Sequence, residues 1–85
     1  MFQLSIVTPS GKIYEDTVES LGCPGLEGGF EVYSNHMAMV AALKQGNVRI
    51  RKDGKEIKSL TIDSGILEVD PSHNVLLLAD QVTGV

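Results

Sequence analysis

Very little in this 85-residue sequence points to covalent or metal chemistry. Its single cysteine, Cys23, has no partner for an internal disulfide, which excludes a disulfide-stapled mini-domain and fits folding under reducing conditions. His36 and His73 stand far apart, and no His-x-His or Asp-x-Asp-x-Asp-Gly pattern occurs, so the usual metal-binding spacings are missing. No apolar run approaches the ~18 residues of a membrane span, and Met1-Phe2-Gln3-Leu4-Ser5 lacks the basic start of a secretory signal. Tryptophan is absent, and the aromatic set is limited to Phe2, Tyr14, Phe30 and Tyr33.

Positive charge is also scarce. Seven Lys and Arg against eleven Asp and Glu give a net charge of −4, which disfavours attraction of the whole surface to nucleic acid or anionic lipid. Six of the seven cations lie between Lys44 and Lys58, opposed there only by Asp53 and Glu56. An oligonucleotide-binding barrel would add stacking aromatics to such a cluster, and residues 44–58 contain none. Arg49 and Arg51 are therefore expected on the outer face of a hairpin, beside an acidic residue or in solvent.

What is present suits one small core. With 42% hydrophobic and 21% charged residues the chain has the composition of a globular domain. Surface scaling predicts about 4,900 Å² exposed out of roughly 13,200 Å², so about 63% is buried on folding, enough to fold alone without much reserve.

The periodicity is close to two throughout. Phe2, Leu4 and Ile6 alternate along a first strand that Pro9-Ser10-Gly11-Lys12 closes, and a second extended run covers Ile13 to Leu21. Residues 22–29 read as a glycine-rich loop, followed by a short strand over Phe30 to Tyr33. His36 to Leu43 suits either a helix face or a strand face, with propensity slightly favouring helix. Asp53-Gly54 signals a type I′ hairpin turn joining Val48–Lys52 to Lys55–Ile62, with Leu60 and Ile62 inward. Gly65, then the turn Pro71-Ser72-His73-Asn74, frame the strands Ile66–Val69 and Val75–Ala79, the latter expected to be largely buried. Residues 1–85 are thus expected to form a single all-β domain, a small β-sandwich or flattened barrel of about eight to ten short strands with no C-terminal helical domain.

Candidate catalytic groups do not assemble from this pattern. Cys23 with His36 or His73 would need a spatial adjacency that no local motif supplies, and Cys23 reads as a small semi-buried strand-end residue. Glu15, Glu19, Glu31, Glu56 and Glu68 fall at alternate strand positions, the pattern of a solvated face. Gly25-Leu26-Glu27-Gly28-Gly29 has the glycine content of a phosphate loop without its Gly-Lys-Ser/Thr ending or the helix that follows. No catalytic, metal or nucleotide-binding residue is assigned, and no cofactor.

Five segments in order carry a family likeness: Leu4-Ser5-Ile6-Val7-Thr8-Pro9-Ser10-Gly11; Pro24-Gly25-Leu26-Glu27-Gly28; the histidine loop at His36; Ala42-Leu43-Lys44-Gln45-Gly46-Asn47-Val48-Arg49-Ile50; and Ser64-Gly65-Ile66-Leu67-Glu68-Val69, closing at Leu77-Leu78-Ala79-Asp80. Together they resemble the N-terminal β-sandwich of the epsilon subunit of F-type ATP synthase, called delta in mitochondria. Where that family usually has Pro-Gly-His-Ala-Pro-Leu, this chain has Ser34-Asn35-His36-Met37-Ala38-Met39, without either proline. An acidic family residue aligns with Gly29, leaving Glu27 or Glu31 as its replacement. Asp63-Ser64-Gly65 has one glycine fewer than the family pattern.

The resemblance implies a non-catalytic central-stalk subunit that binds the gamma subunit and the c-ring and couples proton transport to ATP synthesis and hydrolysis. It places the chain peripherally on the cytoplasmic face of the bacterial inner membrane, meeting the membrane only through the complex. Glu27, Glu31, His36, Met37 and Met39 are the interface candidates it implies, in a contact loop running from Glu27 to His36. The family's inhibitory helical hairpin has no counterpart in this sequence, so the subunit is expected to couple without inhibiting through a C-terminal arm. From another class, a biotinyl or lipoyl carrier is also about eighty residues of β structure. Met37-Ala38-Met39 lacks the modifiable lysine of a biotin hairpin, and Lys44 lacks the symmetric hairpin context.

Overall fold

The alternation of Phe2, Leu4 and Ile6 becomes strand β1 (Phe2–Thr8), all three side chains buried, in a computed structural model that describes residues 1–84. Nine strands follow: β2 (Gly11–Val18), β3 (Ser20–Cys23), β4 (Phe30–Tyr33), β5 (Met39–Leu43), β6 (Gly46–Lys52), β7 (Lys55–Ile62), β8 (Gly65–Val69), β9 (Val75–Ala79) and β10 (Val82–Thr83). They make two five-stranded sheets, ordered β2-β1-β9-β8-β5 and β10-β7-β6-β3-β4. The expected all-β sandwich is what forms, with no helix among the described residues. Its exposed surface of 4775 Å² lies close to the size-scaling expectation.

The core is the shared inner side of the two sheets. Leu4, Ile6, Leu67 and Leu77 of the first sheet meet Leu21, Val48, Ile50, Leu60 and Ile62 of the second, each essentially without exposure. At the open margin of this core, Lys52 of β6 reaches Asp16 of β2 at 3.2 Å, and the Tyr14 hydroxyl donates to the other Asp16 oxygen at 3.4 Å. The hydrogen bond from Lys52, with that of the Thr17 N–H, holds the Asp16 carboxyl below its ordinary value.

Two expectations change. The extended run over Ile13–Leu21 is two strands in different sheets, because the chain crosses over at Glu19. That crossing is fixed by the Glu19 N–H donating to the Arg51 carbonyl at 2.8 Å, and by the Glu19 carboxylate accepting from the Gly54 N–H at 3.0 Å. The helical option for His36–Leu43 fails, since β8 pairs with every residue from Met39 to Leu43 and this non-local pairing overrides a weak propensity. Strand β9 is largely buried as expected, with Val75, Leu77 and Ala79 inside, and its one exposed side chain is Leu78 at 41%.

Local turn chemistry follows the sequence more closely. Asp53 at φ 55° and Gly54 at φ 79° form the type I′ turn that Asp-Gly predicts, and β6 and β7 pair on either side of it. A different glycine requirement applies at Gly65, where a Cβ would lie 2.5 Å from the Leu78 carbonyl oxygen. The clash is with the backbone of a paired strand, which cannot move aside.

Gly65→Ala is therefore expected to lower the unfolding free energy by roughly 1–3 kcal/mol in urea titration, while exposed Ser64→Ala stays within about 0.5 kcal/mol. Cys23 gives a second measurable consequence. Burial, and secondarily the charge of Glu31, pushes its thiol from the ordinary 9.0 up to about 12. The folded form keeps the proton that the unfolded chain releases, so stability falls as pH rises through 9 toward 12, and Cys23→Ala should flatten that fall. Thiol reagents at pH 8 should label the native domain far more slowly than the chain in urea.

Candidate functional site

Strand register assigns each loop to one end of the sandwich. Leu43 pairs with Gly65 and bridges to Gly25, and Gly65 faces Ala79, so the 24–29 loop, the β7–β8 turn and the β1–β2 turn share one end. Tyr33 pairs with Ser20 and Ser20 with Arg51, which puts the loop after β4 at the opposite end with the Asp53-Gly54 turn. Met39 pairs with Val69, adding the 70–74 turn to that second end.

The five interface candidates therefore do not form one site. Glu27 is exposed in the loop at the first end, while His36 and Met37 lie at the second, separated from it by the length of β4, about 10 Å of strand. Glu31 points outward from the second sheet, opposite Gly22. Met39 is partly buried and packs on the core. Adjacent positions in an extended segment that runs the height of the domain end up on different surfaces, which is why the single contact loop from Glu27 to His36 separates.

The histidine loop is tied down without its prolines. The His36 ring Nδ1–H donates to the Met37 carbonyl at 2.9 Å, and the His73 ring Nδ1–H donates to the His36 carbonyl at 3.0 Å. His73 is presented by the 70–74 turn, whose Asp70 carboxylate accepts from the Ser72 and Asn74 N–H groups at 2.9 Å each. Asn35, at φ 62°, occupies the left-handed region that Asn tolerates better than most side chains. No local pattern links the two histidines, 37 positions apart, yet the second braces the backbone of the first.

The second sheet's outer face carries Glu31, Tyr33, Arg49 and Arg51, with Ser20 and Gly22 between them on β3. Arg49 and Arg51 are exposed as expected, and Arg51 donates to the Gly54 carbonyl at 3.1 Å. Lys52 leaves the basic cluster for Asp16, so the cations of residues 44–58 do not share one face. Cys23 is buried at the end of its strand remote from His36 and His73, and its pKa near 12 leaves it protonated, which rules out the nucleophilic triad. Among the described residues no group of three His, Cys, Asp or Glu side chains could hold a metal ion.

The surface that residue-by-residue reading missed is the outer face of the first sheet. Register aligns Ala42, Ile66, Leu78 and Val7 in a row across β5, β8, β9 and β1, with Val40, Glu68 and Leu76 in the next row. Val40 is 72% exposed, and Ile66 and Leu78 are close to half exposed. A hollow of about 420 Å³ opens beside them, between Val7, Pro9, Gly65, Ile66, Leu78 and Asp80. Contiguous exposed apolar patches of this kind are characteristic of interaction surfaces. Its trace in the sequence is the loss of alternation in Ile66-Leu67 and Leu76-Leu77-Leu78, apolar on both strand faces.

Comparison with known proteins gives this fold a family. The family described as ATP synthase, Delta/Epsilon chain, beta-sandwich domain matches residues 1–84. An ATP synthase epsilon chain of Alkaliphilus oremlandii is 42% identical over 76 residues, 89% of this chain and 56% of that protein. One from Chlorobium limicola is 38% identical over 79 residues, 93% of this chain and 90% of the relative. The chain thus spans little more than half of the first of these relatives and nearly all of the second. Among solved structures, a chain of the Euglena gracilis mitochondrial ATP synthase (OSCP/F1/c-ring) superposes with TM-score 0.87 at 19% identity, covering 96% of this chain and 52% of that one. A chain of the Tetrahymena thermophila mitochondrial ATP synthase central stalk and c-ring gives 0.82 at 12% identity, covering 95% and 64%. These two similarities establish the fold, and the match over residues 1–84 establishes that the chain belongs to the delta/epsilon family of ATP synthase as its β-sandwich domain.

Proposed function

We propose that this chain is a non-catalytic rotor subunit of an F-type ATP synthase, held between the gamma subunit and the c-ring and passing rotation from one to the other. The exposed apolar row Ala42, Ile66, Leu78 and Val7 carries the reading, because a gamma-type shaft subunit needs a broad adhesive face and this one is unpartnered. The loop end, with exposed Leu26 and Glu27, is the surface offered to polar loops of the ring, and His36 and Met37 extend the gamma-facing side past β5. Glu31 lies on the other sheet and is the outlying member of the set.

A coupling element works by rigidity. The two sheets share one close-packed core, and among the described residues no buried side-chain nitrogen or oxygen lacks a hydrogen-bond partner. Such a body transmits force without internal rearrangement. Operation at the cytoplasmic face of a bacterial inner membrane, with proton flow coupled to ATP synthesis and hydrolysis, belongs to the same proposal.

Pull-down with the gamma subunit is the test. Ile66→Lys and Leu78→Lys should each weaken binding by about tenfold or more, corresponding to roughly 1.4 kcal/mol, with an unchanged unfolding midpoint. Wild-type binding by the double variant would overturn the assignment of this face. In reconstituted membranes, His36→Ala and Glu27→Lys should lower ATP-driven proton pumping more than ATP hydrolysis, and unchanged pumping in both would remove the loops from the coupling path.

A further inference from the structure

Backbone accounting at the margin of the first sheet leaves a short stretch of β5 open. Antiparallel pairing alternates residues that bond to the neighbour with residues that face away. The Ala42 carbonyl accepts from the Leu26 N–H at 3.0 Å, and the Lys44 N–H donates to the Pro24 carbonyl at 2.9 Å. Ala42 and Lys44 therefore face away from β8, and by the same alternation so does Val40. The segment Pro24–Leu26 is thus a stub of a sixth strand, antiparallel to β5 through the Gly25–Leu43 bridge. It ends where the chain turns at Gly28, whose N–H returns to the Gly25 carbonyl at 3.0 Å. Beyond the stub, the Val40 N–H and C=O and the Ala42 N–H have no backbone partner among the described residues.

The other long edges carry the devices that discourage pairing, and this one does not. The outer strand β2 bears Lys12, Glu15 and Asp16, and its pairing with β1 has a bulge at Ile6/Val7. Strand β7, covered by β10 only at Thr61 and Ile62, bears Lys55, Glu56 and Lys58, with a bulge in its pairing to β6. Met37 to Leu43 contains no charge and no proline, and β5 pairs with β8 without a register shift. Natural sheets block exposed edges with charge, proline and bulges, so an unblocked apolar edge is a template for another strand. Beside it lies a groove of about 370 Å³ between the 25–28 turn and Val40–Ala42, with Leu26 63% and Val40 72% exposed at its rim.

We infer that the open edge of β5 takes an extended segment of the shaft subunit as a sixth strand of the first sheet, continuous with the apolar face described above. The inference rests on the docking reading of that face and specifies how the contact is made. Main-chain bonds to Val40 and Ala42 supply the pairing, and side chains at alternate positions lie over Val40 and Leu26. The charge of the occupant is set by Glu27 at the groove and Glu68 opposite Val40, both exposed carboxylates without an ion-pair partner among the described residues. The incoming segment is apolar at every second residue and carries a lysine or arginine among the intervening ones.

Amide hydrogen exchange of the 85-residue chain, alone and bound to gamma, tests this. The expected result is at least hundredfold slower exchange at the Val40 and Ala42 amides in the complex, with every second amide of one gamma segment slowed alongside them. Val40→Pro, which removes the donor, should weaken binding at least tenfold, whereas Val40→Thr, which keeps the donor and loses only part of the apolar contact, should weaken it clearly less. If gamma binds and remains sensitive to Ile66→Lys while the Val40 and Ala42 amides exchange as fast as in the free chain, strand addition is overturned and the face alone is the interface. Absence of gamma binding would instead overturn the docking reading beneath it. Sedimentation of the chain alone guards the identity of the occupant, because a dimer that protects the same two amides would make the sixth strand a second copy.

Discussion

The parallel pairing of β1 with β9 is the contact on which the rest of this domain depends. It joins Leu4–Val7 to Val75–Leu78 across almost the whole chain and turns a hairpin, β2-β1, and a three-stranded antiparallel unit, β9-β8-β5, into one five-stranded sheet. Without it β1 and β2 would be a lone hairpin, which is marginal in water. With it, Leu4, Ile6 and Leu77 close one wall of the core, and Val7 comes beside Leu78 on the outside. The same contact therefore seals the interior and assembles the exterior patch. Because it is so non-local, its loop-closure entropy is a large cost that the burial between the sheets must offset.

A domain this small has little stability to spare, and the distribution of side chains reflects that limit. The second sheet is covered outside by polar and charged groups, among them Glu31, Arg49 and Arg51. The first sheet leaves Val40, Ile66 and Leu78 uncovered, a surface that favours association over solubility. Catalysis would need polar groups gathered in a cleft. Here the one thiol is buried and protonated, and the carboxylates are spread along strand faces. The exposed apolar area of one sheet and the close-packed core between the two are the properties on which the proposed role draws.

Legibility in the sequence varied with the range of the interaction. The β1 alternation, the Asp53-Gly54 turn and the inward placement of Leu60 and Ile62 were all readable, because each depends on period two or on local backbone chemistry. The crossover at Glu19 was not, since an extended run looks the same whether it stays in one sheet or changes sheets. The strand at Met39–Leu43 was obscured by a helix-compatible pattern and was decided by β8. The candidate contact residues came from a resemblance to the family, and folding distributed them over two ends and two faces. The apolar face escaped notice because Leu76-Leu77-Leu78 reads equally well as a strand buried on both sides.

The class of fold, the positions of most turns, the inward-facing side chains and the lack of a local metal or nucleotide motif are all legible in the residues alone. Those follow from alternation, turn propensity and residue chemistry, all of which act within a few positions. Strand order, the full burial of Cys23, the bracing of His36 by His73, the apolar row from Ala42 to Val7 and the open edge at Val40 are set by the folded arrangement. Each of these depends on which distant strand lies alongside, and a pattern of period two is blind to its neighbour.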